Sequence, residues 1–368
     1  MNRHPWLRWK RPESGNHDSI ERFLHPMPHP YLHIIRNHPR AVTTALITVS
    51  LLVLLVCLAI IPFRAEVNTG TTPTSVYIDA DDTRDSVRIK AGNPKGWSWL
   101  DWYYDARPRT GHYQIQPGES MLDVYRKFQG GTQTPVRVTV PQVRTIDQLA
   151  SRLARQLMPD SASIATALHD SAYCARLGYT WQTLPALFIP NTYEMWWNTS
   201  VDKFMQRMQR ENRAFWTEAR MEKAQALGMT PVEVVTLASI VSEETAYVPE
   251  MPKVAGMYIR RLQIGMPLQA DPTVKFALGD FSLRRILFKH LEVDSPYNTY
   301  KNKGLPPGPI CIPSVKAIDA VLNHEQHGYL YMCAKEDFSG SHNFARTYSE
   351  HLANARRYAR ALDKRGIK

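Results

Sequence analysis

Two adjacent carboxylates, Glu243 and Glu244, lie near the end of a segment whose residue types predict an α-helix. Thr230 suits the N-cap, Pro231 suits the first helical position, and Glu233 completes a T-x-x-E capping box. A carboxyl group held on a helix can donate or accept a proton if its surroundings set its pKa near the working pH. The pattern therefore indicates acid–base chemistry.

Helical spacing gives the two carboxylates different surroundings. Leu237, Ile240 and Val241 precede Glu244 by seven, four and three residues and share its helix face. Glu243 follows mainly polar residues at the same spacings, so we expect it to lie on a wetter face. Because apolar surroundings disfavour a charged carboxylate, we expect a raised pKa for Glu244 and assign it as the general acid.

A structural role for the same carboxylate is the alternative. Residues 254–262 predict a second helix, and Glu244 would then pair with Arg260 or Arg261 of that helix in a satisfied ion pair. A carboxylate held in such a pair would not be a proton donor.

The residues that follow Glu244 form an ordered series of motifs. With the helix itself, the series is Ala238–Val241, Glu244-Thr245, Pro252–Gly256, Arg261-Leu262, Gly265-Met266, Leu268–Val274, Pro296–Tyr300, Gly304–Ile310 and His342–Thr347. Over residues 230–351 this series resembles the YceG-like (MltG) family of endolytic murein transglycosylases. The family's helix often reads E-K-E-T with the second Glu catalytic. Here Ser242 and Glu243 replace the first two residues, and Glu244 is retained.

The resemblance implies a lytic transglycosylase reaction on peptidoglycan glycan strands. Glu244 would first protonate the oxygen that links N-acetylmuramic acid to N-acetylglucosamine. As a carboxylate it would then take the proton of the muramic acid C6 hydroxyl, which closes a 1,6-anhydro ring. The family requires no cofactor. Its activity is linked to ending the growth of nascent strands, which implies association with glycan polymerases or penicillin-binding proteins.

The resemblance also implies a set of residues that bind the sugars. They are Gln269, Asp271, Thr273, Tyr297, Asn298, Thr299, Tyr300, Pro190, Asn191, Thr192, Glu194 and His342. Three alternatives remain open: an ordinary aromatic core at residues 187–197, a helix cap at Asp271, and a loop-holding role for His342. The proline loop departs from the family's Ala-Asn-Pro because it continues Cys311-Ile-Pro-Ser314.

Two other functions are compatible with the same residues. A hydrolytic muramidase would add a base for water, either Asp271 or Glu194. A non-catalytic, membrane-anchored scaffold would bind glycan without turnover. The charge of +11 and the pI near 9.4 admit nucleic acid as a partner, but no nucleic-acid-binding motif accompanies them, so we predict no nucleic-acid binding.

An uncharged apolar run at residues 41–63 is long enough to cross about 30 Å of hydrocarbon, so it predicts one transmembrane helix. Residues 1–40 carry seven Arg or Lys and three acidic residues, which predicts a cytoplasmic tail and an exported remainder attached to the inner membrane. Proline residues in the tail interrupt the helix that would align the histidines at 25, 29 and 33.

For the exported part, the sequence predicts a polar linker at residues 64–75, followed by an α+β fold in two parts. Residues 76–134 contain Gly111–Ser120, which resembles a LysM-like unit, and we expect Trp97, Trp99, Trp102, Tyr103 and Tyr104 to build its small core. Residues 135–368 would form the catalytic domain. It begins with a strand at residues 135–141 and a second capping box at Thr145–Gln148.

The cysteines do not predict a disulfide framework. Cys57 lies in the apolar run, which leaves three others in the exported part, and among these a Cys311–Cys333 bridge remains open while Cys174 is unassigned. We predict no metal site, because the chain contains neither H-E-x-x-H nor C-x-x-C.

Overall fold

A computed structural model describes residues 39–283 and 285–366 of the chain, which divides into two units at Ala65 and Glu66. The first unit contains helix α1, Pro39–Ile60, followed by a 3-10 turn at Ile61–Arg64. Within α1, Arg40–Ile60 is long and apolar enough to cross a membrane, as predicted. The predicted basic tail and its histidines lie outside the described residues, apart from its last two positions.

The second unit, Glu66–Lys368, is a mixture of helices and short strands. Its helices are α2 Arg84–Lys90, α3 Trp97–Tyr104, α4 Met121–Gly130, α5 Ile146–Ala154, α6 Ser161–His169, α7 Ser171–Arg176, α8 Val201–Phe215, α9 Glu218–Ala226, α10 Pro231–Glu244, α11 Met251–Gln263, α12 Asp271–Leu278, α13 Val315–Leu322 and α14 Tyr348–Lys364. Its strands are β1 Thr74–Ile78, β2 Gly111–Ile115, β3 Val136–Val140, β4 Asn191–Met195, β5 Tyr331–Ala334 and β6 His342–Ala345. Short 3-10 turns lie at Leu184–Leu187, Val248–Glu250 and Phe288–Glu292. The predicted α+β class is confirmed.

Each strand pairs with one antiparallel partner, giving three two-stranded sheets, β1–β2, β3–β4 and β5–β6, among the described residues. Two-stranded sheets are marginal alone, so each depends on helices packed against it. In the β3–β4 pair, Val138 and Tyr193 are opposite each other and both point into the core. Leu149 and Leu153 of α5 belong to the same core, as the spacing predicts.

The segment expected to be a linker is largely docked on the folded unit. Glu66 pairs with Ser120 in an isolated bridge, and the amide of Val67 donates to the carbonyl of Glu119. The side chain of Asn68 is buried and donates to the carbonyls of Thr72 and Ile115. From Glu66 onward the predicted linker is therefore part of the folded unit, because Glu66, Val67 and Asn68 are hydrogen-bonded to its backbone.

The predicted aromatic core of residues 76–134 is only partly correct. Trp97 is buried and packs against Tyr125 and Phe128 of α4. The other four aromatic residues assigned to this core, however, are exposed: Trp99, Trp102, Tyr103 and Tyr104. The error arises because a short helix buries one face only, and here Trp97 and Leu100 occupy that face.

The largest core surrounds α10, which packs against α11 and α13. Every residue from Val234 to Val241 is buried, so this helix lies in the interior and positions its last turn rigidly. Gly256 allows α11 to approach the loop that follows α13, since a Cβ there would lie 2.1 Å from the backbone oxygen of Glu325. The predicted second helix is confirmed; it begins three residues earlier and ends one residue later than predicted.

Two local predictions need correction. All four cysteines are free, so the bridge left open between Cys311 and Cys333 is absent. Thr145 caps α5 as predicted, but Gln148 accepts a hydrogen bond from the amide of Arg144 and not from that of Thr145, so the second capping box is incomplete.

Candidate active site

Glu244 is the last residue of α10, and both halves of the predicted capping box at the start of this helix are present. The Thr230 hydroxyl accepts from the amide of Glu233, and the Glu233 carboxylate accepts from the amide of Thr230. A well-capped, buried helix fixes the position of its final side chain. The local pattern that predicted this helix is therefore confirmed.

Glu244 lies in a cavity of about 320 Å³ in the second unit. Four helices, strand β5 and two loop residues contribute its lining: Glu244, Met257, Tyr258, Arg261, Gln269, Asp271, Tyr300, Tyr331, Met332, Tyr348 and His351. The lining combines aromatic faces with amide, carboxylate and guanidinium groups, which suits a ligand that has both apolar surfaces and hydroxyl groups.

The Glu244 carboxyl group accepts a hydrogen bond of 2.6 Å from the Tyr258 hydroxyl. Burial raises its pKa from the usual 4.5 to about 7; the Tyr258 hydrogen bond opposes this rise and the nearby Asp271 charge adds to it. The side chain as a whole is partly exposed, because it faces the open cavity, while protein atoms surround the rest of the group. A carboxyl with this pKa holds a proton part of the time at neutral pH.

The ion pair proposed as an alternative for Glu244 is not present among the described residues. Arg260 is exposed and reaches Gln263. Arg261 is buried, and its guanidinium donates to backbone carbonyls instead: Leu330 at 2.7 Å, Leu268 at 2.5 Å and Pro267 at 3.4 Å. Its positive charge still lowers the Glu244 pKa from a distance.

Glu243 has the wetter environment predicted for it. Its carboxylate accepts two hydrogen bonds from the Arg144 guanidinium, at 2.9 and 2.7 Å, and both side chains are partly exposed. The two neighbouring carboxylates therefore differ in the way that helical spacing indicated.

Asp271 is the other carboxylate in the cavity lining. It accepts a hydrogen bond of 2.6 Å from Tyr300, and burial together with Asp271 raises the pKa of that phenol. The proposed capping role is wrong, because Asp271 is the first residue of α12 and Ala270 is its N-cap. Gln269, also in the lining, has a φ of +49°, a strained conformation for a residue with a side chain and one that clusters at functional sites.

Four other predicted sugar-binding residues are buried and do not line the cavity: Thr273, Tyr297, Asn298 and Thr299. The Asn298 amide donates to the carbonyls of Leu291 and Val293, which organises the loop. The hydroxyls of Thr273 and Thr299 are 2.8 Å apart, and Tyr297 packs on Phe276. These contacts hold the loop that presents Tyr300, so the four residues act in the structure as supports.

The β4 segment lies elsewhere. Pro190, Asn191, Thr192 and Glu194 do not line the Glu244 cavity. Thr192 contacts the Thr139 hydroxyl across the β3–β4 pair, and Glu194 lines a separate depression with basic residues of α8. As sugar contacts these four residues remain predictions.

His342 holds a loop, which was one of its two predicted roles. Its Nδ1 lies 2.8 Å from Oε2 of Glu250, and its backbone amide donates to Oε1 of the same carboxylate at 2.8 Å. These two contacts join the start of β6 to the start of α11. His342 is not among the cavity residues.

Several lining residues escaped sequence reasoning. Tyr258 lies on α11, where the apolar spacing indicates only packing. Tyr331, Tyr348 and His351 come from β5 and α14, about a hundred residues after Glu244 along the chain, and no local pattern links them to it. Burial and the charge of Arg261 lower the pKa of His351, which favours a neutral imidazole. Among residues 39–283 and 285–366, no cluster of three or more His, Cys, Asp or Glu could hold a metal ion.

The raised pKa predicts a pH-dependent stability cost. Between about pH 4.5 and 7 the folded protein binds more protons at Glu244 than the unfolded chain does, so stability falls as the pH rises through this range. Glu244→Gln removes the charge and the cost. We expect the variant and the wild type to unfold alike near pH 5, and the variant to be more stable by about 1–3 kcal/mol at pH 8.

Thermal unfolding of the two full-length proteins across this range measures the difference. A constant offset at every pH would contradict the assigned pKa.

Comparisons with known proteins agree with these features. A model of the YceG-like family matches residues 86–357. A Bacillus subtilis (strain 168) protein named endolytic murein transglycosylase is 28% identical over 268 residues, which cover 68% of this chain and 73% of that protein. The Streptococcus pneumoniae (strain D39) protein of the same name is 27% identical over 281 residues; the match covers 67% of this chain but half of that longer protein.

A similar fold has been solved. The crystal structure of a yceG-like protein from Listeria monocytogenes is 26% identical, with a TM-score of 0.53. The match covers 77% of this chain and 99% of that one.

Proposed function

Because the chain belongs to the YceG-like family, we propose that it is a lytic transglycosylase that cleaves peptidoglycan glycan strands internally. The observation that carries this proposal is the protonatable Glu244 carboxyl, with a pKa of about 7, at the wall of a cavity lined by aromatic and polar groups. The names of the relatives from Bacillus subtilis and Streptococcus pneumoniae supply the substrate and the reaction class.

Glu244 acts twice in the proposed reaction. In its protonated form it donates to the glycosidic oxygen between N-acetylmuramic acid and N-acetylglucosamine, and that bond breaks through an oxocarbenium-like transition state. The resulting carboxylate then accepts the proton of the muramic acid C6 hydroxyl, whose oxygen attacks the anomeric carbon. The 1,6-anhydro ring closes, Glu244 regains its proton, and no water is consumed.

The neighbours of Glu244 suit these two steps. The Tyr258 hydroxyl donates to the carboxylate form and so stabilises the species that accepts the second proton. Arg261 places a positive charge nearby without neutralising the acid through a direct pair. The hydrogen-bonded Asp271 and Tyr300, with Gln269, provide polar groups that orient sugar hydroxyls.

Hydrolysis is the second candidate function, because Asp271 lines the same cavity and is a possible base for water. Glu194, the other base considered, lies in a different depression. Mass spectrometry of the products separates the two reactions. We expect new 1,6-anhydro ends on long fragments from purified glycan strands, whereas reducing ends, heavier by one water, would establish a muramidase. Absence of any cleavage would favour the binding scaffold.

The membrane helix also supports a proposal about where the protein acts. We infer that residues 1–40 face the cytoplasm and that the folded unit acts outside the inner membrane, as the charge bias around α1 indicates. Residues 76–134 would form a LysM-like unit beside a catalytic domain at residues 135–368. A protein that cleaves newly made glycan strands near the membrane would associate with glycan polymerases or penicillin-binding proteins.

Tyr258→Phe tests the tuning of the acid. The hydrogen bond from Tyr258 lowers the Glu244 pKa, so its loss raises that pKa further. Since the general acid is active when protonated, the alkaline limb of kcat/KM should move to higher pH by about one unit, and kcat should fall because the carboxylate loses its donor. A pH–rate profile of both proteins measures this shift. An alkaline limb that stays in place would contradict the coupling.

A further inference from the structure

The proposed catalytic site does not account for the exposed aromatic face of α3. Trp102 is 75% exposed, Tyr103 72% and Trp99 66%, and these are the three most exposed Trp or Tyr side chains in the described part of the second unit. They lie at positions i, i+3 and i+4 of one helix, and the rings of Trp99 and Trp102 are 5.9 Å apart. The opposite face, with Trp97 and Leu100, is buried. A cluster of this kind indicates an interaction surface.

The segment of chain that contains this face is rich in basic residues. Residues 84–109 contain six Arg or Lys and three Asp. Arg84 and Arg88 are paired with Asp105 and Asp85, whereas Lys95 and Arg107 are exposed and appear in no ion pair among the described residues. Trp and Tyr with neighbouring basic residues are the side chains enriched where proteins meet the head-group region of a bilayer.

The chain itself limits how far this part of the protein can be from a membrane. The apolar helix ends at Ile60, and the chain is hydrogen-bonded to the folded unit from Glu66 through the bridge to Ser120. Even if it were fully extended, the chain from Ile60 to Glu66 would span at most about 20 Å, and the 3-10 turn at Ile61–Arg64 shortens it. Ser120 caps α4, whose residues Tyr125 and Phe128 pack on Trp97 of α3, so the point of attachment and the aromatic face belong to the same small core.

We propose that the face formed by Trp99, Trp102 and Tyr103 docks on the surface of the bilayer that α1 crosses. The three rings enter the head-group region, while Lys95 and Arg107 meet anionic lipid phosphates. This inference does not depend on the reaction assigned to Glu244.

Bromolipid quenching tests the proposal on the full-length protein. The probe is vesicles of phosphatidylcholine and phosphatidylglycerol that contain a lipid brominated on its acyl chains near the head group. We expect bromine to quench Trp99 and Trp102, so Trp99→Phe/Trp102→Phe should lower the quenchable fraction of tryptophan emission at least about twofold. Both residues are exposed, so this conservative double variant leaves the core around Trp97 unchanged.

Trp181→Phe is the matched control, because Trp181 is also exposed, at 49%, but lies far along the chain from α3. The proposed docking leaves Trp181 outside the membrane contact, so we expect the quenchable fraction of the Trp181→Phe variant to rise slightly. A double variant whose fraction also rises or stays constant would overturn the proposal. Lack of quenching together with an emission shift of these two residues on adding soluble glycan oligomers would overturn it as well, and would assign the face to glycan.

Discussion

Glu244→Gln is expected to lower the rate of glycan cleavage by about a thousandfold or more. Glutamine is nearly the same size and can accept the Tyr258 hydrogen bond, but it can neither donate the proton to the glycosidic oxygen nor take one from the C6 hydroxyl. Both steps assigned to this position are lost together. The measurement is the initial rate of release of soluble fragments from purified sacculi by the full-length protein.

Glu243→Gln provides the matched control, because it makes the same chemical change one residue earlier on the same helix. Glu243 faces Arg144 and not the cavity, so its loss removes a partly exposed ion pair and should change the rate by no more than a few fold. Equal rates for wild type and Glu244→Gln would refute the catalytic assignment. A large loss with Glu243→Gln alone would transfer the acid role to that residue.

Arg261→Met should have the largest effect on stability. The guanidinium is buried and donates to the carbonyls of Leu330, Leu268 and Pro267, which join α11 to the start of β5 and to the segment before Gln269. Methionine leaves these carbonyls without donors. We expect the free energy of unfolding to fall by about 3–5 kcal/mol, and activity to fall with it because Gln269 lines the cavity.

Arg260→Met is the corresponding control on the adjacent residue. Arg260 is exposed and its one side-chain hydrogen bond, to Gln263, is 3.5 Å long. The expected change is within about 0.5 kcal/mol. Urea unfolding of the three full-length proteins measures both values. Equal stabilities for Arg261→Met and Arg260→Met would show that the buried guanidinium is not the support described.

Local sequence signals predicted the parts of the site that depend on local structure. The capping box at Thr230 and the apolar residues before Glu244 determine a helix and the direction of its last side chain, and the structure confirms both. The difference between Glu243 and Glu244 follows from the same spacing. Gln269, Asp271 and Tyr300, implied by the resemblance, do line the cavity.

Features that depend on contacts between distant segments could not be predicted. Tyr331 and His351 reach the cavity only because β5 and α14 pack near α11, and a single sequence contains no record of that contact. The loop residues Asn298 and Thr299 carry polar groups suited to sugars, but these groups bind backbone instead: the Asn298 amide donates to the carbonyl of Leu291, and the Thr299 hydroxyl accepts from the amide of Ala270. Trp99 and Trp102 were misplaced in the core because residue type indicates a preference for burial and not which helix face is covered.

The protonation of Glu244 at neutral pH is the claim on which the mechanism depends, and infrared difference titration tests it most directly. The carbonyl stretch of a protonated carboxyl is recorded for the full-length wild type as a function of pH, and the same titration of Glu244→Gln is subtracted. We expect one carboxyl group in the difference that loses its proton with a midpoint near pH 7. A difference signal that disappears below pH 5 would contradict the account, because Glu244 would then carry no proton to donate at neutral pH.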